Sequence, residues 1–119
     1  MTLRPLPLLA VYTASKAAVN AFTASLAHEL VPFGVRAHLV IPGRSPETAF
    51  GANARTRMGM DVPDAYGDLA RRAFANFQLA TEELTRASDV AEAVWRAATD
   101  LACPMRLPAG ADAVAWAAA

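Results

Sequence analysis

One continuous run near the start limits the fold of this chain more than any other feature. Residues 13–31 carry apolar side chains at helical spacing, and Pro32 ends that pattern. Residues 35–41 are mostly β-branched or apolar, as in a buried strand, and Pro42-Gly43 ends them. A helix, a tight turn, a strand and a breaker form the second half of a βαβ unit. The order therefore predicts an α/β fold with parallel strands joined by helical crossovers.

The predicted helix carries two stripes of side chains. Large apolar residues recur along one side: Val19, Phe22, Leu26 and Leu30. Small residues recur along another: Ala14, Ala18, Ala21 and Ser25. Small side chains allow close approach, so we expect this helix to be packed on two faces, inside a layered fold or at a subunit interface.

The remainder of the chain is less regular. Residues 44–67 are polar and interrupted by glycine and proline, which predicts a long excursion with at most short helical turns. Residues 88–102 regain helical periodicity, with Ser88 as a suitable N-cap. Residues 105–108 are compatible with a last short strand. We expect residues 1–119 to form part of one domain, with no internal repeat.

Charge and composition exclude several classes of function. Eleven basic and eleven acidic residues give no net charge, and no basic block suggests a nucleic-acid partner or an anionic membrane surface. A single cysteine cannot form an intrachain disulfide or a cysteine-rich metal site, and the two histidines lack ligand-like neighbours. We therefore expect no nucleic acid, no membrane and no metal among the partners.

The N-terminus does not predict export. It is faintly similar to a secretion signal, but Pro5 and Pro7 and the absence of a small-residue cleavage site argue against that interpretation. No stretch approaches the ~18 consecutive apolar residues that a spanning helix needs. We expect a cytoplasmic protein.

Tyr12 and Lys16 are the residues best suited to chemistry. They are four apart, so one helical turn places them on the same side. Reducing a carbonyl by hydride requires a proton donor, and the reverse reaction requires a base; a phenol, with a pKa near 10, is a poor base at neutral pH. An ammonium about 5 Å away at an effective dielectric of about 20 stabilises a phenolate by ~3 kcal/mol. The alternative is an aromatic at the helix entry beside a solvated lysine.

The residues around this pair carry a family resemblance. The run 12–19 (YTASKAAV) closely resembles the YxASKAAV signature of short-chain dehydrogenases/reductases. The similarity continues through 26–30 and 32–36 to the Pro42-Gly43 turn, and 106–113 is similar to the closing stretch of some members. The resemblance implies the C-terminal half of a doubly wound, Rossmann-like parallel sheet, incomplete in this chain.

The resemblance also implies roles for particular residues. Tyr12 would be the catalytic acid/base, and Lys16 would both poise it and bind the ribose hydroxyls of the nicotinamide. Pro42 and Gly43 would lie beside the nicotinamide at the carboxyl end of the strand. Thr48 is the candidate for a threonine that contacts the cofactor, although it lies one residue later than the common PGxxxT spacing. The cofactor would be NAD or NADP, the substrate a small carbonyl or alcohol, and residues 44–67 the variable substrate loop.

Other parts of such an enzyme are not found in these 119 residues. No two of the six glycines are closer than eight residues, so no glycine-rich phosphate loop can form. The family's substrate-binding serine, thirteen residues before the tyrosine, would fall before Met1. A late assigned start, a truncated gene and a domain piece all remain open. We expect the isolated chain to be incompetent in catalysis, and marginal in stability or oligomeric.

Two functional hypotheses follow. The first is an NAD(P)-dependent oxidoreductase of short-chain dehydrogenase/reductase type, which transfers hydride between nicotinamide and a carbonyl/alcohol substrate. The second is a non-catalytic truncated remnant that acts at most as a helix-mediated interaction module. In either case we expect a homo-oligomer formed through the helix at 13–31.

Overall fold

A computed structural model describes residues 3–58, 61–79 and 84–119 of the chain. Within these ranges the elements, in chain order, are α1 (Ala10–Leu30), β1 (Leu39–Pro42), α2 (Phe50–Met58), α3 (Gly67–Leu79), α4 (Ala87–Thr99), β2 (Arg106–Ala109) and α5 (Ala111–Ala118). Single 3-10 turns follow α1 and precede α3, at Val31–Phe33 and Asp64–Tyr66.

The two strands form a parallel pair. Leu39 lies opposite Arg106 and Pro42 opposite Ala109, so the carboxyl ends of both strands meet at one edge. The helix α4 connects β1 to β2 and packs on both strands, and α5 packs on β2. This is the crossover arrangement expected of a parallel sheet, and it confirms the predicted α/β class as part of a Rossmann-like fold.

The first helix and the first strand differ in extent from their sequence predictions. The helix was expected at 13–31 but begins at Ala10, because nothing in residues 10–12 interrupts it; the Thr13 N–H already donates to Leu9 O (2.8 Å). The strand was expected at 35–41 but begins at Leu39, where its N–H donates to Met105 O (2.7 Å) just before β2 starts. Upstream of that point, no strand among the described residues lies opposite to extend the ladder.

The later segments also differ in detail. Residues 44–67 contain α2 and a 3-10 turn, so this segment is more helical than its composition indicates; its residues 59 and 60 lie outside the described residues. The helix predicted at 88–102 spans Ala87–Thr99. It ends there because Asp100 is extended and its carboxylate accepts the Ala102 N–H (2.8 Å), which holds a turn in place of a further helical residue.

The buried core is small and lies between α4 and the strand pair. Ala93, Cys103, Leu107 and Ala109 form it, and Val40, Val90 and Ala97 pack against it. Cys103 is thus a small buried side chain with a free thiol. Because this core contains few large residues, each of its apolar side chains contributes a considerable share of the buried apolar area.

The expected packing of α1 on two faces is not found in the chain as described. No residue of α1 is buried, and Val11 and Phe22 are 85% and 65% exposed. Its main element contact is with the 3-10 turn that follows it. The radius of gyration is 16.3 Å, larger than the ~13.5 Å of a compact chain of this length. The helix therefore extends from the core with its apolar surface open.

Candidate active site

The Tyr12 and Lys16 side chains lie together on the first turns of α1. The Lys16 Nζ atom is 5.5 Å from the centroid of the Tyr12 ring, within the range of a cation–π contact. Tyr12 is half-buried, and Lys16 is exposed. The helical spacing thus brings the phenol and the ammonium to one edge of the helix, as their separation of four residues requires.

Lys16 keeps its charge available to a ligand. Among the described residues, no carboxylate lies within salt-bridge distance of its ammonium. The neighbouring Ser15 is turned toward the backbone, where its Oγ donates to Tyr12 O (2.7 Å). An exposed ammonium with three donors can hold hydroxyl groups of a bound molecule beside the phenol.

The Pro42-Gly43 corner ends β1 at the edge where both strands finish. Gly43 N–H points back to the sheet and is shared between Ala109 O (3.3 Å) and Thr85 Oγ1 (3.0 Å). The position accepts only glycine, because a Cβ there would overlap the carboxylate of Asp112. The corner is therefore built to bring backbone close to a polar side chain below it.

A buried polar cluster lies under this corner. Thr85 and Asp112 are only 1% and 3% exposed. Thr85 Oγ1 lies 2.6 Å from Asp112 Oδ1 and 2.9 Å from Ala109 O. Its single hydroxyl proton can be donated to one of them at a time, and a carboxylate is the stronger acceptor. Thr85 N–H in turn donates to Arg44 O (2.9 Å).

The Asp112 carboxylate completes this cluster from α5. Its Oδ2 accepts the Arg44 N–H (2.6 Å), and its Oδ1 accepts the Ala113 N–H (2.9 Å). A buried carboxylate needs such donors, since it would otherwise be very costly to remove from water. The sequence analysis missed both Thr85 and Asp112. The sequence does hold one signal for Asp112, an acidic residue two positions after Gly110 and shortly after the strand predicted at 105–108.

Thr48, the candidate cofactor threonine, is exposed and engaged in a local turn. Its Oγ1 donates to Ser45 O (2.9 Å) and accepts the Phe50 N–H at the start of α2 (3.4 Å). The residue at the usual threonine position is Glu47, whose Oε1 accepts the Ala87 N–H (2.8 Å) at the start of α4. Glu47 thus ties the segment after the corner to a helix N-terminus, where a negative charge is favourable.

The predicted site residues fall into two groups. Tyr12 and Lys16 form one group on α1, and Pro42, Gly43 and Thr48 form the other at the strand edge. The closely packed pairs of elements join β1, β2, α4 and α5, whereas α1 contacts mainly its own following turn. The structure therefore brings Tyr12 and Lys16 together, whereas Thr48 bonds to Ser45 and Phe50 rather than to the corner. Among the described elements, α1 does not pack closely on the strand edge.

The described residues contain neither a candidate metal-binding cluster nor a helix that could span a membrane. Across residues 3–58, 61–79 and 84–119, no cluster of three histidine, cysteine, aspartate or glutamate side chains could hold a metal ion. Of the helices in the described part of the chain, none combines the length and the apolar character needed to cross a bilayer.

Comparison with known proteins identifies a family for this chain. A family model for short chain dehydrogenases matches residues 1–59, the half of the chain that contains both groups. The chain belongs to the short-chain dehydrogenase family. An oxidoreductase of Bacillus subtilis, the uncharacterized YusZ, is 30% identical over 94 residues, which cover 78% of this chain. No solved structure matches at a comparable level.

This short-chain dehydrogenase chain spans about a third of the length of that relative, since the alignment covers 34% of YusZ. The matched family region ends at residue 59, before Thr85 and Asp112. The family model therefore does not reach the cluster beneath the corner.

Proposed function

We propose that this chain supplies the acid/base pair and the nicotinamide-facing corner of an NAD(P)-dependent oxidoreductase. The observation that carries the proposal is the Lys16 Nζ atom, 5.5 Å from the Tyr12 ring centroid on an open edge of α1, within a region that matches the family. The substrate would be a small carbonyl or alcohol. As 119 residues without a glycine-rich phosphate loop, the isolated chain is expected not to turn over.

The donor set suits the nicotinamide end of such a cofactor. The Lys16 ammonium is exposed, so it would hold the ribose hydroxyls, and Pro42-Gly43 would present its backbone to the ring. Thr48 would contact the cofactor only if its bonds to Ser45 O and to the Phe50 N–H open. When bound, the cofactor supplies or accepts the hydride.

The chain's own residues would then handle the proton. In the reductive direction Tyr12 Oη donates a proton to the developing alkoxide, and in the oxidative direction it removes one from the alcohol. Lys16 places a positive charge beside this phenol, with its Nζ atom 5.5 Å from the ring centroid. Such a positioned acid/base contributes about 10²- to 10⁴-fold to rate.

The exposed apolar surface of α1 supports the second candidate function. A truncated remnant would offer this helix as an interaction module, and an active enzyme would form a homo-oligomer through the same helix. Phe22 is 65% exposed there, with Val11 and Val19 also open. Exposed apolar patches of this kind mark association surfaces. Multi-angle scattering should therefore find oligomers that Phe22→Gln weakens and Leu101→Gln, an exposed control away from α1, does not.

The enzymatic proposal is tested first on the DNA upstream of Met1. An open frame encoding a glycine-rich turn and a serine thirteen residues before Tyr12 would yield an extended protein, whose oxidation of NADH and NADPH is then followed with a panel of carbonyls. In that protein Tyr12→Phe should lower turnover about 10²- to 10⁴-fold while cofactor affinity stays near wild type.

Two results would contradict this proposal. Unchanged turnover in Tyr12→Phe would remove the phenol from the chemistry. A stop codon upstream, together with no change in nicotinamide fluorescence when NADH or NADPH is added, would favour the non-catalytic remnant. Thr13→Val, one residue along the same helix, serves as the control for damage to α1.

A further inference from the structure

We infer that Thr85 and Asp112 are positioning residues that fix the backbone of the Pro42-Gly43-Arg44 corner for the nicotinamide. The inference rests on the proposed function, because that function gives the corner its ligand. Neither residue belongs to the region that matches the family, which ends at residue 59.

The contacts form a bracket around two successive peptide groups. Gly43 N–H donates to Thr85 Oγ1 (3.0 Å), and Arg44 N–H donates to Asp112 Oδ2 (2.6 Å). Arg44 O accepts the Thr85 N–H (2.9 Å). The two side chains are themselves joined through Thr85 Oγ1 and Asp112 Oδ1 (2.6 Å). The two buried side chains thus accept from both N–H groups of the corner, and the Gly43 N–H is shared with Ala109 O (3.3 Å).

Hydrogen bonds to side chains orient this corner, whereas in a longer sheet hydrogen bonds to the backbone of a neighbouring strand would do so. The β1–β2 ladder ends at Pro42 and Ala109, and beyond that pair the Gly43 N–H makes a longer bond to Ala109 O (3.3 Å) than to Thr85 Oγ1 (3.0 Å). Thr85 enters from the segment before α4, and Asp112 enters from the first turn of α5. The position of the corner therefore depends on two elements far away in sequence, and an error of about 1 Å in such a position can cost about 10²-fold in rate.

Because Thr85 and Asp112 are buried, they can position the corner but cannot contact a ligand themselves. At 1% and 3% exposure, neither Thr85 nor Asp112 can reach a bound molecule. They act through the peptide groups of Gly43 and Arg44, which lie between them and the edge of the sheet. Glycine at 43 makes the close approach possible, because a Cβ would meet the Asp112 carboxylate.

The test follows single amides of the 119-residue chain by NMR. Hydrogen exchange at Gly43 and Arg44 is measured in wild type, Thr85→Val, Thr85→Ser and Asp112→Asn, with Asp68→Asn as an exposed control. The Leu39 N–H, bonded to Met105 O, reports whether each variant keeps its fold. Reduced nicotinamide mononucleotide is then titrated into each protein, with adenosine monophosphate as the control ligand.

We expect Thr85→Val and Asp112→Asn to lose protection at Gly43 and Arg44 while Leu39 stays protected. Both should weaken nicotinamide mononucleotide binding about tenfold, or ~1.4 kcal/mol. Thr85→Ser, which keeps the hydroxyl, should restore both readouts. If Thr85→Val loses the protection of Leu39 as well, Asp112→Asn, which keeps the side-chain volume, decides.

Three outcomes remain distinct. Wild-type binding that is unchanged in variants with an unprotected corner overturns the positioning role and leaves the proposed function standing. Full protection of Gly43 and Arg44 in Asp112→Asn overturns the bracket itself. Failure of wild type to bind nicotinamide mononucleotide overturns the proposed function, and the positioning role with it.

Discussion

Gly110 offers the most quantitative test of the packing beneath the corner. Its backbone lies at φ 95° and ψ 154°, a region essentially closed to residues with a side chain. A Cβ at this position would also overlap Thr85 Oγ1 and would lie 2.9 Å from Thr85 Cα. The Gly110→Ala substitution therefore meets a conformational obstacle and a steric one at the same point.

The cost of Gly110→Ala follows from these two terms. The backbone term is about 1–3 kcal/mol. Moving Thr85 away breaks its bonds to Gly43 N–H and to Asp112 Oδ1, and leaving buried polar groups without partners costs about 1–3 kcal/mol more. We expect a loss of about 2–6 kcal/mol in the free energy of unfolding, a large part of a typical domain's stability.

Gly34 supplies the matched control. It also has a positive φ, 66° with ψ 18°, but this is the left-handed helical region and nothing lies within 4 Å of a Cβ placed there. Gly34→Ala should therefore cost only about 1 kcal/mol, and Gly34→Asn should be nearly neutral because asparagine tolerates this region.

Urea unfolding followed by far-ultraviolet circular dichroism measures all three variants against wild type. The expected order of destabilisation is Gly110→Ala well above Gly34→Ala, with Gly34→Asn least. Equal losses in Gly110→Ala and Gly34→Ala would refute the reasoning, because the steric term against Thr85 would then be absent.

Two further predictions concern stability. Leu107→Ala should cost about 2–5 kcal/mol in urea unfolding, since Leu107 is 4% exposed in the core, whereas Leu101→Ala, at 86% exposure, should cost almost nothing. The backbone N–H of Ala102, and then the Arg96 side chain, lower the pKa of Asp100 below its usual 3.8. Because the pKa of Asp100 is lower in the folded chain than in the unfolded chain, its ionisation stabilises the fold fully at pH values above the unfolded pKa. This stabilisation is lost as the pH falls through the folded pKa. Asp100→Asn should thus destabilise the chain at pH 7, and the difference from wild type should vanish in acid; a difference independent of pH would contradict this.

The order of elements was predictable because local patterns encode it. Helical spacing in residues 13–31 and the breakers around 35–41 led to a helix and a strand in the right order, and the parallel pairing followed from topology. The length of β1 was not predictable. It depends on where β2 begins, which is a contact between distant segments, and Val35 to His38 carry strand-like residues without a partner strand.

In the candidate site too, local sequence patterns predicted some features, and contacts between distant segments determined the others. The proximity of Tyr12 and Lys16 was predictable because a separation of four residues is about one turn of a helix, whereas their catalytic role stays a prediction. Thr85 and Asp112 were missed because their role exists only in three dimensions, 27 residues apart in the chain. The packing predicted for both faces of the first helix is not found within the chain as described, and its alternative, a subunit interface, stays a prediction, since a stripe of apolar residues indicates a buried face but not what covers it.

The proposed function requires that Tyr12 and Lys16 on α1 and the Pro42-Gly43 corner bind the same nicotinamide. A single NMR titration with reduced nicotinamide mononucleotide tests this directly, by following the ring protons of Tyr12 and the amide of Gly43 in the same samples. We predict that both respond saturably with one dissociation constant, and that Lys16→Met weakens the two responses equally. Two different constants, or a response at Gly43 with none at Tyr12, would contradict the claim that the helix and the corner form a common site.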